Sequence, residues 1–199
     1  MRLIVIYIHY LFLLFIALTF STFKTPEVIN STIQVYEGSY IKIKGTSNVN
    51  EFDCVMNMVT LSDSLLVSYS ESNKVIEFDN TELVIPNKYF NCGGRMINKD
   101  FHRLLNTDRY PDIKLKLKKV LKPSNLNECV EADLDVEICG VKNSFVVPVT
   151  VNTDDRISIQ GIMSVNINEF KLEPPKKLLG VIKVSPVIEI DFKLNYTIK

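Results

Sequence analysis

The sequence predicts an all-β domain, an antiparallel barrel of about eight strands with one short helix, preceded by an N-terminal hydrophobic signal segment. Three observations carry this reading. Long stretches alternate apolar and polar residues with period two, clusters of turn residues separate them, and only one stretch repeats at helical spacing.

The chain opens with Met1 and Arg2, then an apolar run from Leu3 to Phe20 interrupted by His9. One positive charge before such a run is the layout of a secretory signal, and its length approaches that of a membrane span. Residues 1–22 therefore read as a signal peptide or a retained anchor, residues 23–31 as a linker, and residues 32–199 as one domain. Either reading sends the domain out of the cytosol, with membrane proximity if the anchor is kept. The formal net charge is zero, so nothing in the balance attracts nucleic acid.

The alternation is clearest at the C-terminus. Ile188, Ile190, Phe192, Leu194, Tyr196 and Ile198 fall between Glu189, Asp191, Lys193, Asn195 and Thr197. Ile157, Ile159, Gly161, Met163, Val165 and Ile167 form a similar series, as do Ala132, Leu134, Val136 and Ile138. Ile113, Leu115 and Leu117 alternate with lysines, and Phe145, Val147, Val149 and Val151 make another set. The spacing predicts strands over 33–36, 40–46, 64–69, 74–85, 112–121, 130–139, 143–152 and 156–167, with 187–198 as a further candidate. Between residues 75 and 85 the apolar positions change from even to odd, which predicts a bulge or corner near Asp79 and Asn80. Turns are expected at Glu37-Gly38, around Gly140, at 153–155 and at Pro174-Pro175.

The one helical stretch places Ile97, Phe101, Leu104 and Leu105 on a single face, with Asn98 as the expected cap and Pro111 beyond its end. Strands with one apolar face each belong to an antiparallel sheet, and eight or so of them tend to close on themselves. A ring of that size is either filled by its own side chains or holds one small ligand. The pattern alone leaves both open.

Four cysteines stand at 54, 92, 129 and 139, and an exported chain permits disulfides. The matching contexts Phe52-Asp53-Cys54 and Phe90-Asn91-Cys92 favour a bond between Cys54 and Cys92. Cys129 and Cys139 sit at the two ends of one expected strand. Ten residues at about 3.3 Å each put them beyond disulfide reach unless the chain bends between them; otherwise they are free thiols or bond to other cysteines. Both would point outward. Lys114, Lys116, Lys118 and Lys119 form a basic outer stripe, read as a solvated strand face. No metal-ligand spacing, nucleophile motif or phosphate loop is present, so no catalytic residue, metal or cofactor is expected.

Several segments resemble the YceI-like family. The helix at 96–105 followed by Arg109-Tyr110-Pro111-Asp112-Ile113 is similar to its short helix and K-Y-P-x-I element. Residues 134–142 look like its L-T-L-x-G-V-T-K hairpin. Asn168-Glu169-Phe170 resembles its R-x-D-F position, and Val187-Ile188-Glu189-Ile190 its closing strand. Residues 45–54 and 174–180 resemble a Bacteroidetes-type subgroup.

The resemblance implies a lipocalin-like barrel, exported to the periplasm or cell envelope, with an apolar isoprenoid-type lipid as partner and no enzymatic activity. The apolar residues that the strand alternation, the helix face and the segment after Pro175 would then turn to the lining are Phe101, Leu104, Leu105, Ile113, Leu115, Leu134, Val136, Phe145, Val147, Ile159, Met163, Leu178, Leu179, Ile190 and Phe192. The alternative is a structural or interaction protein with a filled barrel and no ligand.

Overall fold

The computed structural model describes residues 27–61, 64–79, 81–122, 128–153, 156–177 and 181–199. The expected signal segment lies outside these residues. Five long strands form most of the wall: β7 (Asp112–Leu121), β8 (Cys129–Ile138), β9 (Val141–Asn152), β10 (Ile157–Asn166) and β13 (Val187–Ile198). Each pairs antiparallel with the next in this order.

The remaining wall is built from strands interrupted midway. β1 (Val28–Val35) and β2 (Tyr40–Thr46) both pair with β13, β1 against Tyr196–Ile198 and β2 against Glu189–Lys193. β3 (Glu51–Asn57) pairs with β2, and β4 (Ser64–Glu71) with β1. β5 (Val75–Asp79) and β6 (Glu82–Pro86) both pair with β7. Since β4 also pairs with β5, the path β1-β4-β5-β7-β8-β9-β10-β13 returns to β1 as an eight-stranded ring.

The interruptions have local causes. Between β1 and β2 the chain turns through Gly38 at φ +81°, a conformation that favours glycine. The buried Ser39 hydroxyl stands in for the lost ladder: it accepts from the Asn195 N–H at 2.9 Å and donates to the Tyr36 carbonyl at 2.7 Å. Between β5 and β6 lies the expected phase change, with Asn80 itself outside the described residues. β7 carries a bulge between Leu117 and Lys119, where the inward positions pass from odd to even, so that Leu117 and Val120 face the same side.

At one end of the ring the one α-helix among the described residues, α1 (Arg95–Leu104), connects β6 to β7. Its cap is Gly94 rather than the expected Asn98, which lies inside the first turn. The Asn98 side chain nonetheless reaches back, its Oδ1 accepting the Cys92 N–H at 2.6 Å. The helix ends where Asn106 takes a left-handed φ of 46°, a C-terminal stop that asparagine tolerates.

Other boundaries also differ from expectation. β1 begins at Val28, so the linker ends before that residue. β3 and a two-residue hairpin, β11 (Lys176–Lys177) with β12 (Ile182–Lys183), were not foreseen. β8 and β9 meet at Cys139 and Gly140, with φ of 51° and 75°. Positive φ at both central residues suits a two-residue hairpin.

Candidate ligand cavity

Inside the ring is a cavity of about 1110 Å³. It runs the length of the wall. At the α1 end it meets Ile97, Phe101, Leu104 and Leu105, and at the far end Val120, Val151, Ile157 and Ile198. Drug-sized ligands occupy pockets of roughly 300–1,000 Å³, so this space suits a larger guest. The many inward residues that are only half-buried, among them Leu115, Leu134, Ile188, Ile190 and Leu194, face this lumen. A filled interior would have covered them. The filled-barrel alternative is therefore corrected: the interior is hollow.

Most of the expected lining stands where the alternation put it. Phe101, Leu104, Leu105, Ile113, Leu115, Leu134, Val136, Ile159, Met163, Ile190 and Phe192 all face the cavity. Phe145 and Val147 do not. Val147 is fully buried in the cluster of Val120, Val130, Ala132, Val149 and Val151, and the Phe145 ring stacks on Phe170 with centroids 6.1 Å apart. Leu178 and Leu179 lie outside the described residues. The sequence reading missed the interrupted wall: Phe52 on β3, Leu65, Val67 and Tyr69 on β4, and Ile76 and Phe78 on β5 also line the space. Phe52, Cys54 and Met56 do alternate with Glu51, Asp53 and Val55, a signal that was available.

Two cross-strand pairs keep the lumen open. Gly161 faces Phe192, and Gly45 faces Phe52. In each pair the ring lies over the glycine, against the wall, where any side chain at the glycine would meet it.

The wall near α1 is held by a disulfide between Cys54 on β3 and Cys92. Val55 and Asn91 add a pair of backbone hydrogen bonds, each 2.9 Å. The buried Asn87 donates from Nδ2 to the Tyr110 carbonyl at 2.8 Å, joining the segments before and after α1. Cys129 and Cys139 are free, which settles the choice the sequence left open. Cys129 is exposed. Cys139 is not outward as expected: the turn swings it against the core, where its thiol donates to the Leu105 carbonyl at 2.9 Å and burial raises its pKa.

The lysine stripe is not a plain solvated face. Lys114 pairs with Glu137, Lys118 with Asp135 and Lys119 with Asp133, at 3.1, 2.8 and 3.1 Å. Asp135 also accepts from Lys142 at 2.8 Å and from Ser144 at 2.6 Å. The Lys118 ammonium, then Lys142 and Ser144, hold its carboxyl well below the usual carboxylate range.

Comparisons with known proteins agree with this geometry. The sequence profile of the YceI-like domain matches residues 30–196. A solved polyisoprenoid binding domain from Saccharophagus degradans, implicated in plant cell wall breakdown, superposes with a TM-score of 0.59 at 15% identity. That match covers 87% of this chain and 100% of the other. BcnA of Burkholderia cenocepacia superposes with a TM-score of 0.54 at 15% identity, covering 80% and 96%. No curated protein matches in sequence. With most of its length matched by that profile and its ring closed in the same fold, the chain belongs to the YceI-like family.

Proposed function

We propose that this protein holds an apolar, isoprenoid-type lipid in the cavity and acts as a carrier or storage protein of the cell envelope, in the manner of a lipocalin. The observation that carries the reading is the long hydrocarbon-walled lumen. Each methylene buried there contributes about 0.8 kcal/mol before the entropic costs of binding, so a long chain needs few polar contacts. The family and the polyisoprenoid-binding neighbour support the same ligand class. We read the protein as a binder and not an enzyme, because its interior offers hydrocarbon where catalysis would need convergent polar groups. Export is supported by the Arg2-led apolar run and by the disulfide, which suits an oxidising compartment.

Organic extraction of protein purified from its native envelope, followed by mass spectrometry, tests this. The expected result is a stoichiometric polyprenyl lipid. Protein that carries none and takes up none from vesicles containing polyprenol would refute the proposal.

A further inference from the structure

Polarity in the cavity wall is sparse and uneven. Among the described lining residues there is no lysine, arginine or histidine, and the only acidic groups are Glu71, Glu82 and Asp100. Glu71 lies at the far end, where its carboxylate is engaged by Lys122 at 2.7 Å.

Near that end two tyrosines point inward: Tyr69 from β4 and Tyr196 from β13, the two strands that flank β1. Neither hydroxyl has a hydrogen-bond partner among the described residues. Tyr36 shares a hydrogen bond with Thr197 at 3.3 Å, and Tyr40 donates to Asp191 at 3.1 Å. A tyrosine hydroxyl taken out of bulk water ordinarily finds a partner.

Burial pushes the Tyr196 pKa up to about 12, and the nearby Tyr69 adds to the rise. The phenol therefore stays protonated and can donate. Tyr69 packs against Phe78 with centroids 6.1 Å apart, which fixes its ring on the wall. A charged head group would lose its hydration here with no cation among the described lining residues to replace it, a heavy cost. A neutral oxygen meets two free donors.

We infer that Tyr69 and Tyr196 form a polar subsite that takes the uncharged, oxygen-bearing head of the lipid, with the hydrocarbon chain running toward α1. The inference rests on the lipid-binding reading and adds the chemistry of the head and the direction of threading.

The test uses the full chain, as wild type, Tyr69→Phe, Tyr196→Phe and the double variant. Three probes are titrated against a bound apolar dye: geranylgeraniol, its monophosphate, and a tail-matched hydrocarbon without the hydroxyl. Geranylgeraniol should bind most tightly. Each phenylalanine should weaken it about two- to tenfold, the worth of one net hydrogen bond, and leave the hydrocarbon unchanged.

If the phosphate binds more tightly than the alcohol, the assignment of a neutral head falls. The subsite also falls if the variants bind alcohol as wild type does, or lose alcohol and hydrocarbon equally. In those cases lipid binding stands. If none of the probes displaces the dye from wild type, the lipid-binding reading fails and the subsite with it.

Discussion

The tip of the Phe192 ring lies over Gly161, its cross-strand partner on β10. A Cβ built at position 161 would come within 2.7 Å of the Phe192 Cζ and 2.9 Å of the Pro148 carbonyl oxygen. The ring could swing away into the lumen, but the backbone oxygen has no such freedom. Gly161→Ala should therefore destabilise the fold by about 1–3 kcal/mol through overpacking, lowering Tm by roughly 2–10 °C for a chain of this size. It should also narrow the cavity. Thermal melting reads the first effect and lipid capacity the second.

Removing the disulfide should cost more. Cys54 and Cys92 enclose a separation of 38 residues, and a cross-link of that span stabilises by roughly 2–4 kcal/mol, chiefly by constraining the unfolded chain. The double variant Cys54→Ser, Cys92→Ser should melt lower than wild type by that amount. Added reductant should then have no further effect on it, while reduced wild type should approach the variant.

The Asp135 cluster ties stability to acid. Its folded pKa lies below the ordinary value of about 3.9. The ionised form's contribution is thus fully present above that value and is lost as pH falls through it toward the folded pKa. Asp135→Asn should lower stability at neutral pH by roughly 1 kcal/mol. Its urea midpoint should also change less than that of wild type between about pH 5 and pH 2.

Tyr196 ties stability to alkali. The unfolded chain ionises this phenol near pH 10, while the fold keeps it neutral up to about 12. Between those values the unfolded state binds fewer protons, so stability should fall as pH rises. Tyr196→Phe should flatten that decline, as urea melts on either side of about pH 10 would show.

The long strands were legible because each shows ten or more residues of one pattern. β13 displays its inward set from Ile188 to Ile198 without interruption. The broken strands were harder. β3 offers only Phe52, Cys54 and Met56 before the chain turns, too short a run of mixed residue types for the period to stand out. On β4 the outward Leu66, 83% exposed, sits between inward Leu65 and Val67 and blurs the alternation. Most of the lining followed from face assignment alone. Phe145 and Val147 escaped it because alternation says which face a residue takes, not whether neighbours such as Phe170 cover it. That Tyr69 and Tyr196, 127 positions apart along the chain, line one cavity depends on closure of the ring through β1, which no local pattern encodes.

The interrupted strands are consecutive around the ring, and the five long ones stand together opposite them. The container is therefore mechanically lopsided. Ladders of up to ten paired residues stiffen one flank, while the other is jointed at residues 36–39, at 58–61 and near 80. A bulkier guest would be accommodated by a change of girth on the jointed flank, with the stiff flank serving as a fixed template. Amide protons of β2–β6 should accordingly exchange sooner than those of β8–β10.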